Sequence, residues 1–254
     1  MYNISYFKAN NHKEVLDFMH AHPFVTICGV YENGLPVAAQ IPILIKEDGD
    51  KLIIEGHLMR KQDHTNAFEK NNNVLVIFSA PSAFVSASWY SSKGIASTWN
   101  YQTVHAVGKM EMKDEAHLYQ LLTNLTLHFE KDSNAPTQVK NLDPMYVQEN
   151  MKAIVSFEIE ITELKNVFKL SQNRDEESHQ NIQKELSKQD LNPQQQQFGK
   201  VGSENLPEDQ IGKVFTEEEI LTIVKEMNDA YDKASERHKK VSTFSVEDLK
   251  TIVR

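Results

Sequence analysis

The sequence predicts an α+β protein, mainly β, built around a closed or nearly closed β-barrel. Two observations predict this fold class. At least six short runs of β-prone residues are separated by turn signals, with few helices between them. The last of these runs, 155–162, alternates apolar and polar residues, which is typical of an antiparallel sheet with one solvated face.

The other predicted strands are bounded by turns and by short helical segments. Asn33-Gly34 separates the runs 24–30 and 35–45, and this dipeptide favours a hairpin because both residues tolerate positive φ. Three more strands are expected at 51–55, 74–78 and 103–112, with a polar, helical stretch between the first two of them.

Helix caps and apolar stripes predict the helices. Asn10-Asn11 is expected to cap a short helix, and Asp114 a helix that runs to about residue 129. A further helix is expected from residue 176, with Ile182 and Leu186 as its apolar anchors.

The chain divides by composition into a barrel domain and a tail. We predict one domain over 1–186, a polar, Gln-rich linker over 187–213 and a helical extension over 214–254. The extension begins with a capping box, Thr216 followed three residues later by Glu219, and continues with an amphipathic stripe.

Composition and charge exclude several classes of protein. Lys and Arg number 27 and Asp and Glu 36, so the net charge of −9 disfavours general binding to nucleic acid. The single cysteine, Cys28, permits no disulfide framework. No apolar run of membrane-spanning length and no signal peptide is evident, so a cytoplasmic protein without a membrane partner is expected.

No standard catalytic signature is present, and the catalytic residues stay unassigned. The sequence lacks a dinucleotide-binding glycine motif, a phosphate-binding P-loop and a nucleophile elbow. The ten histidines are scattered without metal-ligand spacing, so no metal site is expected.

Three segments combine residue types that together suit flavin mononucleotide (FMN). The segment 55–61 ends a strand with two cations, 86–101 interleaves both tryptophans with hydroxyls and an amide, and 168–174 is polar and cationic. Cations and hydroxyls suit a phosphate, and aromatic rings with amides suit a flavin ring. Each segment also has an ordinary structural interpretation, as buried core or as a solvated turn.

The motifs in these segments resemble those of the PaiB-type FMN-binding negative transcriptional regulators, relatives of the pyridoxamine-phosphate-oxidase-like split barrels. The motifs that carry the resemblance, which covers residues 1 to about 186, include Gly-His-Leu-Met-Arg at 56–60, Ser-Ala-Ser-Trp-Tyr at 86–90, Thr-Trp-Asn-Tyr at 98–101 and Lys-Leu-Ser-Gln-Asn-Arg at 169–174.

The resemblance implies a six-stranded antiparallel split β-barrel with flanking helices. It also implies a homodimer with FMN at the subunit interface. Carried over by position, Arg60, with Lys61, resembles the phosphate clamp, and Lys169, Gln172 and Asn173 close the site, from the same or the other subunit. The residues implied for cofactor binding are His57, Arg60, Lys61, Ser88, Trp89, Thr98, Trp99, Asn100, Lys169, Gln172 and Asn173. The sequence departs from the family pattern at two motifs: Met59 replaces an alanine and Lys61-Gln62 stand where the family has Ala-Asn, and Ala87 and Ser97 each replace a proline.

Three functions are open at this point. The first is an FMN-binding protein that acts as a flavin-dependent oxidoreductase, because a flavin needs no protein nucleophile for redox chemistry. The second is a transcriptional regulator that acts through DNA or a protein partner, as the family name implies. The third is a relative that binds haem or a deazaflavin.

Overall fold

The computed structural model describes residues 1–188 of the chain. Within these residues the chain forms eight β-strands and five α-helices. The strands are β1 (Phe24–Val30), β2 (Pro36–Pro42), β3 (Leu44–Asp48), β4 (Lys51–Met59), β5 (Asn73–Ser79), β6 (Ala83–Val85), β7 (Thr98–Met112) and β8 (Ile154–Lys169). The helices are α1 (His12–Ala21), α2 (Asp63–Lys70), α3 (Glu115–Glu130), α4 (Pro144–Met151) and α5 (Glu176–Lys188).

The strands form one antiparallel sheet with the order β2-β1-β5-β7-β8-β4-β3, and β6 pairs with the beginning of β7. The two edge strands of this order, β2 and β3, are consecutive in the chain and are separated only by Ile43. Ile43 is 1% exposed, and its backbone N–H donates to the carbonyl oxygen of Pro23 over 2.9 Å. The sheet therefore curls until its two edges meet at this residue, which produces the half-barrel.

Side chains point alternately inward and outward along the strands, and the inward-facing ones fill the interior of the barrel. Inward-facing residues of six strands form one apolar cluster, to which α1 and α2 add side chains such as Met19 and Phe68. A second, smaller cluster joins β6 to α5 through Val85, Ile182 and Leu186. The two predicted anchors of α5 are thus confirmed, because Ile182 is 2% exposed and Leu186 is fully buried.

The predicted mainly β, α+β barrel with flanking helices is confirmed, but the strand count is eight rather than six. The predicted run 35–45 is two strands, because the chain turns from one sheet edge to the other at Ile43. The additional strand, β6, has only three residues and carries no periodicity of its own.

Both predicted helix caps are confirmed. The side chain of Asn11 accepts from the backbone N–H of Glu14 at the start of α1, and that of Asp114 accepts from His117 at the start of α3. The predicted extension 214–254 and nearly all of the predicted linker lie outside the described residues, and the domain boundaries stay a prediction. None of the helices within residues 1–188 is long and apolar enough to cross a membrane.

Candidate functional site

The first half of β7 meets the end of β8, and this junction collects several of the predicted site residues. Tyr101 lies directly opposite Lys169 in the register of the two strands. Asn100 is 2% exposed, and its Oδ1 accepts from the hydroxyl of Ser171 over 2.8 Å. The short strand β6 holds this part of β7 from its other side, because Val85 pairs with Thr98.

Lys169 is tied to β7 through its ammonium group. Its Nζ donates to Thr98 Oγ1 and, over 3.2 Å, to the carbonyl oxygen of Trp99. The same Nζ lies 5.8 Å from the centroid of the Phe7 ring. Burial, with a contribution from the charge of Arg174, lowers the pKa of Lys169. The ammonium group therefore lies close to the aromatic segment.

Trp99 presents an aromatic surface to solvent at this junction. Its side chain is 53% exposed, and its ring packs edge to face against Phe84, with ring centroids 5.7 Å apart. Beside Trp99 runs a groove of about 510 Å³ on the outer face of β5 and β7, lined by Ile77, Ser79, Ala80, Ser82, Trp99, Tyr101, Gln102, Thr103 and His105.

The prediction did not assign Tyr101 and His105 to the site, although they lie on the same strand face as Trp99. The sequence feature that could have identified them is the two-residue periodicity of a strand, which places positions 99, 101, 103 and 105 on one side of the sheet. Burial, followed by the charges of the N-terminus and Lys165, lowers the pKa of His105. The groove thus combines an imidazole, a phenol and hydroxyl groups with an aromatic wall.

Two of the predicted residues after β8 differ in their surroundings. The side-chain amide of Gln172 accepts from the backbone N–H of Leu170 over 2.7 Å and donates to the carbonyl oxygen of Phe168 over 2.5 Å. Its polar atoms therefore shape the local turn. Asn173 is exposed. The neighbouring Arg174 stacks on the ring of Tyr90, with Cζ 4.2 Å from the ring centroid.

Ser88 and Trp89 lie on a short 3-10 helix, Ala87–Trp89. The hydroxyl of Ser88 lies 2.8 Å from the hydroxyl of Ser86, and Ser88 is exposed. Trp89 is half-buried and packs against the apolar cluster that anchors α5. In this chain Trp89 therefore supports the position of the segment, whereas Trp99 offers an open ring face.

His57, Arg60 and Lys61 lie together at the end of β4 and in the turn that follows it. The His57 Nδ1 atom is buried and has no hydrogen-bond partner within the described part of the chain, and burial lowers the pKa of this imidazole. The Arg60 backbone N–H donates to the carbonyl oxygen of Ala153 over 2.8 Å, and Lys61 adopts a φ of 62°. Across residues 1–188, neither the Arg60 guanidinium nor the Lys61 ammonium makes an ion pair or a hydrogen bond.

The structure brings the predicted residues together in two groups rather than one. His57 pairs with Ser156 near the beginning of β8, whereas Tyr101 pairs with Lys169 at its end. Ser156 and Lys169 are thirteen positions apart, which corresponds to roughly 40 Å of strand length. Within one chain, the cationic group near Arg60 and the aromatic group near Trp99 are therefore attached near opposite ends of β8.

The comparisons with known proteins identify the family. Residues 1–163, more than half of the chain, match the family model described as "Putative FMN-binding domain". The chain belongs to this FMN-binding family. The resemblance to PaiB-type proteins is confirmed as well, since the chain is 33% identical over 206 residues to "Protease synthase and sporulation protein PAI 2" of Bacillus subtilis, covering 81% of this chain and 98% of that protein.

Solved structures provide two further points of comparison. The FAD- and haem-binding protein of Mycobacterium smegmatis is 19% identical, with a TM-score of 0.47 and coverage of 63% of this chain and 72% of that one. The haem storage protein HutZ of Vibrio cholerae is 11% identical, with a TM-score of 0.42 and coverage of 63% and 96%.

The cofactor predicted from the sequence, FMN, is the cofactor of this FMN-binding family. The residues of the chain fit such a group in kind. Within residues 1–188, Arg60 and Lys61 have no carboxylate partner and suit a phosphate, the buried His57 Nδ1 has no hydrogen-bond partner, and Trp99 exposes a flat aromatic ring.

Proposed function

We propose that this chain is a cytoplasmic, homodimeric flavoprotein that carries out redox chemistry with FMN. In this proposal each FMN lies between the Arg60 end of one subunit and the Trp99 end of the other. The observation that carries it is the separation of the two residue groups at opposite ends of β8. A twofold axis can bring the Arg60 end of one copy beside the Trp99 end of the other. A dimer can therefore join two groups that one chain keeps apart.

The Arg60 end supplies what the phosphate of FMN requires. A phosphate dianion needs cations that are not already neutralised, and both Arg60 and Lys61 lack carboxylate partners within the described residues. Their backbone position is fixed, because the Arg60 N–H is bonded to Ala153 and the Thr65 hydroxyl donates to the Met59 carbonyl oxygen over 2.7 Å. The two cations thus extend from an ordered turn.

The Trp99 end supplies surroundings for the flavin ring. Trp99 offers an exposed ring, and the groove beside it is lined by hydroxyl groups and by Tyr101 and His105. Lys169 brings a positive charge to the same end. In this arrangement Thr98 and Asn100 position the strand through their bonds to Lys169 and Ser171, while Ser88 and Asn173 remain available for ligand contacts.

When bound, FMN supplies hydride and single-electron transfer, which the side chains of the chain cannot perform. The chain's own contribution is to hold the phosphate and to cover the ring. A role as a regulator that binds DNA directly is disfavoured by the net charge of −9.

The first test is the absorption spectrum of the purified protein, followed by titration of the flavin-free protein with FMN. We expect a flavin spectrum and saturable binding of one FMN per subunit. Arg60→Ala is expected to weaken FMN binding by about 30- to 1,000-fold, which corresponds to about 2–4 kcal/mol. Lys51→Ala, at the other end of β4, is the matched control, since that exposed lysine forms an ion pair with Glu160 far from Arg60 along the strand.

Other outcomes separate the alternatives. A haem spectrum with no response to FMN, or unchanged FMN affinity in Arg60→Ala, would overturn the proposal. Bleaching of bound flavin by NAD(P)H supports the oxidoreductase function. Salt-sensitive retardation of DNA by a protein whose flavin resists reduction would instead favour the regulator.

A further inference from the structure

Three side chains from distant parts of the sequence converge on the outer face of the barrel, where α3 packs against β4 and β8. Glu55 on β4 lies directly opposite Glu158 on β8 in the strand register. His117, in the first turn of α3, lies over this pair of carboxylates. All three side chains are half-buried, with exposed fractions of 13% for Glu55 and 22% for each of the other two.

The spacing of these groups matches the spacing of metal ligands. His117 Nε2 lies 3.5 Å from Glu55 Oε1 and 3.5 Å from Glu158 Oε1, and the three ligand atoms lie within 4.8 Å of one another. A strong N–H···O hydrogen bond spans about 2.7–3.2 Å, so both contacts are long for hydrogen bonds. Ligand atoms bound at about 2.1 Å around a tetrahedral zinc ion are about 3.4 Å apart.

A second layer of hydrogen bonds orients two of the three ligands. His117 Nδ1 lies 3.0 Å from the hydroxyl of the fully buried Ser156. When Nδ1 carries the ring proton and donates it to Ser156, the lone pair of Nε2 faces the two carboxylates. Glu158 accepts from Lys113 Nζ over 2.6 Å through Oε2, which leaves Oε1 toward the imidazole. Metal-binding histidines and carboxylates are typically held in this way.

The charges around the cluster sum to a negative value, which favours the binding of a cation. Glu55, Glu158 and the neighbouring Glu111 carry three negative charges, and Lys113 bonds to two of these carboxylates. Lys46 is close enough to act on Glu158 electrostatically. With a neutral imidazole, the five side chains therefore retain one net negative charge.

We propose that Glu55, His117 and Glu158 bind a divalent transition-metal ion of the Zn²⁺ type, with a fourth position open to water. The ion ties the beginning of α3 to the sheet at the β4–β8 pair. Imidazole nitrogen together with carboxylate oxygens is a donor set that Zn²⁺ accepts. This site does not depend on FMN and uses none of the residues assigned to the flavin.

The test uses the full chain, stripped of metal with a chelator and then dialysed to equilibrium against Zn²⁺. We expect one tightly bound zinc per chain, and Co²⁺ in its place is expected to give the intense visible absorption of a four-coordinate ion. Glu55→Gln and His117→Gln are each expected to lower the affinity for zinc at least tenfold and to abolish the cobalt absorption. Glu163→Gln is the matched control, because that exposed carboxylate lies on the same strand and pairs with Lys165.

Two results would overturn the proposal. One is the absence of saturable zinc binding, which would mean that the three side chains form no metal site. The other is zinc binding that both substitutions leave unchanged, which would place the ion elsewhere in the chain. Ser156→Ala keeps all three ligands and is expected to reduce zinc affinity by about tenfold through the loss of ring orientation. This variant tests the site even if His117→Gln disturbs the packing of α3.

Discussion

Ser171 donates its hydroxyl to Asn100 Oδ1 over 2.8 Å, and both side chains are buried. Ser171 lies just after β8 and adopts a φ of 64°, while Asn100 lies in β7. A single buried hydrogen bond thus connects the turn that carries the polar segment 172–174 to the strand that carries Trp99. The geometry of the aromatic end of the site depends on this connection.

Ser171→Ala is expected to destabilise the domain by about 1–3 kcal/mol, because it leaves the Asn100 carbonyl oxygen buried without a partner. Ser171→Gly loses the same bond but tolerates the positive φ, so we expect it to cost less than alanine. Urea unfolding measures both changes. Ser187→Ala, at an exposed position of α5, is the control, and equal stability of Ser171→Ala and the wild type would contradict the assignment.

A mixed dimer of two inactive chains is expected to regain FMN binding. Arg60→Ala and Trp99→Ala should each weaken binding as homodimers, because each variant damages both sites. A dimer with one chain of each kind has one intact site and one doubly damaged site, so we expect about one FMN per mixed dimer. Differently tagged chains, co-expressed and purified in tandem, allow the flavin content to be measured. Mixed dimers that bind no better than either weakened homodimer would show that both residues act from one chain. A Trp99→Ala homodimer with unchanged FMN affinity would show that Trp99 takes no part.

Gly108→Ala is expected to destabilise the barrel by about 2–4 kcal/mol. A Cβ atom at this position would lie 2.5 Å from the carbonyl oxygen of Glu160, so the backbone of β7 or β8 would have to move. The register of the two strands also shifts at Val107/Gly108, so their pairing is irregular at this position. Thermal and urea unfolding measure the loss, and the exposed neighbour Lys109→Ala should stay within about 0.5 kcal/mol of the wild type.

The stability of the domain is expected to rise with pH through the ordinary pKa range of histidine, partly because of His22. Burial lowers the pKa of His22 in the folded state below its usual value of 6.5, and its ring packs on Phe18 with centroids 4.5 Å apart. The imidazole therefore binds a proton more tightly in the unfolded chain than in the folded chain. The free energy of unfolding consequently falls as the pH drops below about 6.5. His22→Gln should flatten this dependence in urea titrations at several pH values, whereas His12→Gln, at the exposed start of α1, should not. An unchanged pH slope in His22→Gln would refute this explanation.

Local patterns were sufficient to predict much of the fold. The apolar run at β1 gave the strand with its observed bounds, Phe24–Val30, and the side chains of Asn11 and Asp114 marked the starts of their helices. The first five residues of β7 escaped prediction although polar and aromatic residues alternate there, because their pairing with β6 and β8 is non-local. Helix α4 was also missed, although Pro144 at its first position and the Asp143 cap are typical start signals.

The candidate site was less predictable than the fold, because motifs show which residues are present and not which of them meet. The sequence could not show that Arg60 and Trp99 lie near opposite ends of β8. Nor could it show that the side-chain amide of Gln172 hydrogen-bonds to the backbone of its own turn. The sequence did not reveal the cluster of Glu55, His117 and Glu158, for the same reason. Its members are separated by more than 40 residues at each step, and they meet only through the pairing of β4 with β8 and the packing of α3 on both strands.

The position of β8 in the sheet affects how the chain folds while it is being synthesised. This strand lies between β7 and β4, so the hairpin of β3 and β4 has no hydrogen-bonded partner strand until residues 154–169 have left the ribosome. Until then β4 and β7 both present unpaired edges, which are the usual sites of mispairing between nascent chains. The barrel therefore closes late, through contacts that span about 100 residues, and we expect slow folding and a strong dependence on chaperones during translation.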